Sequence, residues 1–271
     1  METELDIEEE SDDAVLGSYE EPVRLVDDAA AEILILWATN QPVVWKQNFF
    51  VRQTSLSFSL DACGQIFTII QSPSAMVKPG VTGAVLWDSG VVLAKFLEHA
   101  VDTKRLHLLG KKVVELGSGC GLVGCVAALL GASVILTDLP DRLKLLKKNV
   151  DANVGIPVTN RGYVKVLELT WGDELDPHFI NPFPDFVVGS DVIYSEDAVV
   201  DLLQTLSQLS GSHTTIFLAG ELRNEAVLEF FLEAALEEFQ IGCIDQKRWH
   251  PEYRSCRVAL FVLVKKSLSC M

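Results

Sequence analysis

Beyond residue 110 the chain alternates two periodicities, and this alternation restricts the fold more than any other feature. Short runs rich in β-branched and other apolar residues (KVVELG, SVILTD, YVKVLEL, DFVVGSD, TTIFLAG, RVALFVLVKK) are separated by stretches with apolar residues at helical spacing (LVGCVAALLG, DRLKLLKKNVDAN, DAVVDLLQTLSQL, EAVLEFFLEAALEEF). Strand and helix in turn predict an α/β protein with a doubly wound, mostly parallel sheet. A seventh strand near FQIGCIDQ joins the last one through KRWHPEYRSC. That connection is too short and polar for a crossover helix, so the last strand is expected to be antiparallel.

Ahead of this unit, VVWKQNFFV, LSFSL and QIFTII show strand-like patterns broken by polar and glycine-containing turns, and DDAAAEILILWATN begins with acids like a short helix. We therefore expect an N-terminal helix and β-hairpin appendage over residues 27–79 and the main domain over 80–271. After Gly80 and Gly83, AVLWDSGVVLAKFLEHAV carries apolar residues at helical spacing and predicts a helix leading into the next motif.

Charge is concentrated at the start. Residues 1–28 hold twelve carboxylates against Arg24 alone, a net −11, so the total of −16 leaves −5 for the rest. Residues 1–26 are expected to form an acidic, disordered tail. Such a balance speaks against a nucleic-acid partner, which calls for clustered Lys and Arg. No apolar run reaches the roughly 20 residues that span a bilayer, and METELDIEEESDD is acidic where a targeting peptide is basic, so no membrane partner is expected. The six cysteines form no CxxC pair, and the five histidines are scattered. Neither a metal site nor a disulfide framework follows, and cytoplasmic, also nuclear, residence as a monomer is expected.

The chemistry starts at KKVVELGSGCGLVG, where an apolar strand runs into Gly117, Gly119 and Gly121 before a helix opens. Glycines let a ligand approach the backbone, and the helix start offers free N–H donors. Gly119, Gly121 and Gly124 also satisfy the GxGxxG spacing of a dinucleotide site, with Asp138 placed as its ribose-binding carboxylate. Glu115 points away from a pyrophosphate, because its charge would repel one and favour a cationic ligand. From these residues alone both classes of ligand stay open.

The chain resembles the seven-β-strand S-adenosylmethionine-dependent methyltransferases, through ELGSGCG followed by TD at the end of the next strand. More narrowly it resembles their protein-lysine methyltransferase branch, family 16, in the methyltransferase-like 21 group. TGAVLWDSGVVLAKFL, VVELGSGCGLVGCVAALLGASVILTDLP, ELTWGD and GSDVIY carry that likeness over residues 80–265. The resemblance implies a Rossmann-like class I methyltransferase fold, S-adenosyl-L-methionine as cofactor with S-adenosyl-L-homocysteine as product, and a protein substrate presenting a lysine. It also implies site roles. Trp87 lies beside the cofactor, Glu115, Gly117, Ser118, Gly119 and Gly121 form the loop that holds it, Asp138 accepts its ribose hydroxyls, Trp171 flanks its adenine and Ser190 lines the pocket.

The same likeness makes Asp191 and Tyr194 a DxxY motif at a strand's carboxyl end, where ligands of open α/β sheets bind. Asp191 is expected to orient an incoming amine, and Tyr194 to close an aromatic wall that excludes water. The plainer alternative is that Asp191 and Ser195 cap the helix beginning near Glu196 while Tyr194 packs on it. Glu221 and Arg223 share the same sheet edge, where an ion pair or a helix start accounts for them at least as well as substrate contact. A methyltransferase for a small molecule or another side chain, an NAD-dependent dehydrogenase and a non-catalytic interaction module remain alternatives at this point.

Overall fold

The computed structural model describes residues 13–40, 49–77, 83–155 and 163–267. Its parallel strands are β5 (Lys112–Leu116), β6 (Ser133–Asp138), β7 (Val164–Glu168), β8 (Phe186–Ser190) and β9 (Thr215–Glu221). Beyond β9 lie β11 (Val258–Lys265), antiparallel to it, and β10 (Phe239–Cys243), antiparallel in turn to β11. The expected antiparallel closing pair is present.

Among the described residues the sheet has nine strands rather than seven. Strands β1 (Asp13–Val15) and β2 (Pro22–Val26) pair with each other and dock on β10, giving the order β1-β2-β10-β11-β9-β8-β5-β6-β7. The expected tail over 1–26 is corrected accordingly: residues 13–26 belong to the sheet, and residues 1–12 lie outside the described residues. The charge run hid a short apolar alternation. Val23 and Val26 are buried, and Tyr19 is fully buried against Phe96 and Phe217. Two glycines make room for this docking. A Cβ on Gly242 would stand 2.3 Å from Val23 Cγ2, and one on Gly17, at φ +59°, would stand 2.2 Å from Thr215 Oγ1. Gly17→Ala should therefore cost about 3 kcal/mol from overpacking and left-handed strain, read by urea unfolding. An unchanged midpoint would mean that residues 13–26 do not pack on the sheet.

Two helical layers cover the sheet, as its alternation requires. Val113, Val134, Phe186, Val188 and Phe217 face α2 (Asp88–Asp102), α3 (Leu122–Leu129) and α4 (Leu143–Asn153). Their neighbours Val114, Ile135, Val187, Ile216 and Leu218 face α1 (Ala29–Asn40), α5 (Pro177–Ile180), α6 (Glu196–Leu209) and α7 (Glu225–Glu238). Strands buried on both faces read as continuous apolar runs, which is why these segments were legible.

The expected 27–79 appendage divides in two. Helix α1 joins the main core through Ala29, Ile33 and Leu36. The hairpin of β3 (Ser57–Ala62) and β4 (Gln65–Ile70) is a separate two-stranded sheet on α4. Of VVWKQNFFV, only residues 49–51 are described, and they form no strand. Buried Asn149 fastens the hairpin: its amide donates to the carbonyls of Ile70 and Cys120, tying β4 to the glycine loop.

Candidate active site

The chain leaves β5 toward β6 and β7 on one side and returns to β8 on the other, so the sheet's switch point lies between β5 and β8. At such a point the connections diverge and leave a crevice at the strands' carboxyl ends. A cavity of about 330 Å³ opens there. Trp87, Glu115, Gly117, Ser118, Gly119, Asp138, Trp171, Ser190, Asp191 and Tyr194 all line it.

Gly121 does not line the cavity. It caps α3 at φ +82°, where a Cβ would meet Leu146 Cδ1 at 2.6 Å, so it turns the loop into the helix instead. The other loop glycines keep the cavity open. A Cβ on Gly117 would lie 3.1 Å from the Trp171 ring, and one on Gly119 would lie 3.3 Å from the Gly83 carbonyl. Asp138 accepts the Gly119 amide at 2.7 Å and its neighbour Leu139's at 2.8 Å, which fixes its carboxylate against the loop.

Glu115 departs from the expectation of a free charge awaiting a cation. It is 2% exposed, and Oε2 accepts the Gly124 amide at 3.0 Å. Burial pushes its carboxyl up to about 8, so the protonated form predominates at neutral pH. A carboxyl raised in the folded state stabilises the fold fully below its unfolded value near 4.5, and that stability is lost as pH rises from there through about 8. Glu115→Gln carries no such titration. Relative to the unsubstituted protein it should be more stable at pH 9 than at pH 5, by urea unfolding at the two pH values, and a pH-independent difference would refute the burial argument.

Asp191 stands at the end of β8 in the left-handed region, φ +54°, with its amide donating to Ala219 O at 2.8 Å. Its Oδ2 accepts from Ser89 Oγ at 2.5 Å, and its Oδ1 accepts from the Glu221 amide at 3.1 Å. Arg223 Nη2 lies 3.2 Å from the same Oδ1. Burial lifts the Asp191 carboxyl to about 6, with Arg223 pulling it down and Glu221 pushing it up. It does not cap α6; that is done by Ser195, whose Oγ accepts the Ala198 amide at 3.4 Å. Tyr194 is 51% exposed, and its ring lies 6.1 Å from that of Trp171.

Ser89, Glu221 and Arg223 complete the site and were not assigned to it from the sequence. Glu221 and Arg223 stood at the right edge, and of the alternatives open for them the ion pair is present, Arg223 Nε to Glu221 Oε2 at 3.2 Å. Asn224, not Arg223, caps the following helix. Ser89 carried no signal beyond its place after the Trp87–Asp88 pair.

A family model described as lysine methyltransferase matches residues 74–237. The protein N-lysine methyltransferase METTL21A of Danio rerio is 44% identical over 150 residues, 55% of this chain and 66% of that protein. Its Mus musculus counterpart is 46% identical over 142 residues, 52% and 62% of the two chains. The EEF1A lysine methyltransferase 3 of Xenopus tropicalis is 38% identical over 177 residues, 65% and 73% respectively. The chain thus spans just under two thirds of the METTL21A proteins it matches. Among solved structures, the T. thermophilus 16S rRNA N2 G1207 methyltransferase in complex with AdoMet and guanosine has a TM-score of 0.51 at 17% identity. That match covers 78% of this chain and 51% of the other, and shows a shared fold.

Proposed function

This chain belongs to the lysine methyltransferase family, and we propose that it is an S-adenosyl-L-methionine-dependent enzyme that methylates a lysine side chain of another protein. One observation carries this reading: a single cavity joins the walls suited to the cofactor with the Asp191–Tyr194 pair suited to an amine.

The cavity's residues fit that cofactor. Trp87 and Trp171 offer flat apolar faces to a purine and its neighbours. Gly117 and Gly119 leave space that a Cβ would narrow, and Asp138 offers carboxylate oxygens to a diol. When bound, S-adenosyl-L-methionine supplies an electrophilic methyl group on a sulfonium sulfur and leaves as S-adenosyl-L-homocysteine.

The protein must deliver a neutral amine. A lysine with an ordinary pKa near 10.4 is neutral to less than about one part in a thousand at pH 7. Asp191, locked by Ser89 and the Glu221 amide, offers a fixed acceptor that orients the amine nitrogen. Tyr194 and Trp171 line the cavity with aromatic surface, and apolar surface packed against an amine lowers its affinity for its proton. The proton leaves to solvent.

The proposed partner is a protein. The −16 charge speaks against nucleic acid, and no helix among the described residues is long and apolar enough to cross a membrane. Cysteines without disulfide or metal spacing support residence in the cytoplasm and nucleus. Incubation with methyl-labelled S-adenosyl-L-methionine and a cell extract, followed by peptide mapping, should find label on lysine of a protein. Label confined to small molecules or to other side chains would overturn the lysine assignment.

A further inference from the structure

The site has an electrostatic difficulty that Asp191 alone would deepen. A bare carboxylate beside an amine favours the ammonium form, and the ammonium has no lone pair with which to attack. Arg223 sits where it meets this difficulty. Its guanidinium lies over the Trp87 ring at 4.0 Å, with Nη2 3.2 Å from Asp191 Oδ1 and Nε 3.2 Å from Glu221 Oε2.

We infer that Arg223 is a positioning residue for methyl transfer: clamped between Trp87, Asp191 and Glu221, it cancels the charge of the Asp191 carboxylate while leaving that carboxylate in place as an acceptor for the amine. The inference rests on the lysine methyltransferase reading of this cavity.

The groups that face Asp191 from each side support this balance. From β8 and β9 come the Asp191 and Glu221 carboxylates; after β9 comes Arg223; and Arg257, just before β11, places Nη2 3.3 Å from Glu221 Oε2. These two carboxylates and two guanidiniums balance one another. From α2, Ser89 is uncharged, whereas the Asp88 carboxylate, held by the amides of Phe49, Phe50 and Val51, adds a third negative charge on the Glu221 side, where the Asp88 amide donates to Glu221 Oε1 at 3.1 Å. Tyr194 stays a neutral phenol, its pKa raised by burial and by Asp138 and Asp201. An amine arriving here meets an acceptor whose own charge is paired by Arg223, with Arg257 paired to Glu221 behind it.

The Arg223 side chain is 38% exposed, but the two carboxylates it pairs with are nearly buried. The Glu221 and Asp191 side chains are 1% and 9% exposed. Withdrawing a guanidinium from two nearly buried carboxylates is strongly unfavourable. The same anchoring keeps the Trp87 ring covered on the Arg223 side.

The test is the pH profile of label incorporated into lysine of a cell extract from about pH 6 to pH 10, spanning the amine's ordinary titration. In Arg223→Gln the site gains negative charge, so the amine keeps its proton longer and Asp191 itself takes one up more readily. Both effects move the acidic limb the same way, to higher pH, by about one unit, or about tenfold in rate near neutrality, with recovery at high pH. Arg223→Lys keeps the charge and should keep the midpoint. An Arg223→Gln profile that falls uniformly without moving, or an Arg223→Lys midpoint displaced to higher pH, overturns the inference. A carbon-13 NMR titration of the Asp191 carboxyl provides a readout independent of turnover and should move upward in Arg223→Gln. If the unsubstituted protein labels no lysine, the functional reading falls; the carboxyl titration then still decides the charge pairing, and identical titrations in the two proteins overturn it.

Discussion

Asp191→Asn should lower methyl transfer to lysine at least about 100-fold, the scale on which loss of a positioning contact acts, while changing S-adenosyl-L-homocysteine affinity by no more than about threefold. Asparagine suits this test because Asp191 has φ +54°, a backbone conformation that Asn and Asp tolerate and that strains Ala. The amide oxygen of Asn can still accept from Ser89 or the Glu221 backbone, so the loop should hold. What is lost is the charge facing Arg223 and the second acceptor oxygen. Initial rates with labelled cofactor, set beside calorimetry with S-adenosyl-L-homocysteine, separate the two effects. Undiminished transfer would mean that the amine is oriented by something other than this carboxylate. Asp191→Ala should be worse in stability as well as rate, because it adds left-handed strain of about 1 kcal/mol.

Gly124→Ala should cost about 3 kcal/mol and weaken cofactor binding by an order of magnitude or more. A Cβ there would stand 2.5 Å from Glu115 Oε2 and 2.6 Å from Leu136 Cγ. Both neighbours are buried in β5 and β6, the strands that frame the glycine loop, and neither is the free end of a flexible surface chain. Relief requires α3 to move off the sheet or Glu115 to leave the Gly124 amide, and either shift deforms the loop beneath the cofactor. Thermal unfolding should report the first loss, and calorimetry at a temperature where the variant is folded the second. A variant of unchanged stability and affinity would mean that α3 packs less tightly on β5 and β6 than the structure has it.

What the sequence revealed and what it hid have physical causes. The central strands were legible because burial on both faces makes them nearly unbroken apolar runs, and the cleft was legible because a glycine loop and a strand-terminal aspartate leave local signatures. Strands β1 and β2 were obscured because their buried positions, Val23 and Val26 with Tyr19 before them, follow the chain's densest run of acids and lie among Glu20, Glu21, Asp27 and Asp28. Gly121 looked like a ligand-contacting glycine, since spacing does not distinguish a residue that needs φ +82° to begin a helix from one that clears a cavity. Glu115 looked like an available charge, since only three-dimensional burial shows that its proton is retained. Ser89 and Arg223 lie 102 residues before and 32 residues after their shared partner Asp191, so no local pattern could couple them.

The most direct test of the central claim is a crystal structure grown with S-adenosyl-L-homocysteine. The nucleoside should be held between Asp138 and the tryptophan walls, the amino-acid portion along Gly117–Gly119, and the sulfur should face the gap between Asp191 and Tyr194. A saturating concentration that leaves this cavity empty, or a ligand whose sulfur faces away from Asp191, would contradict it.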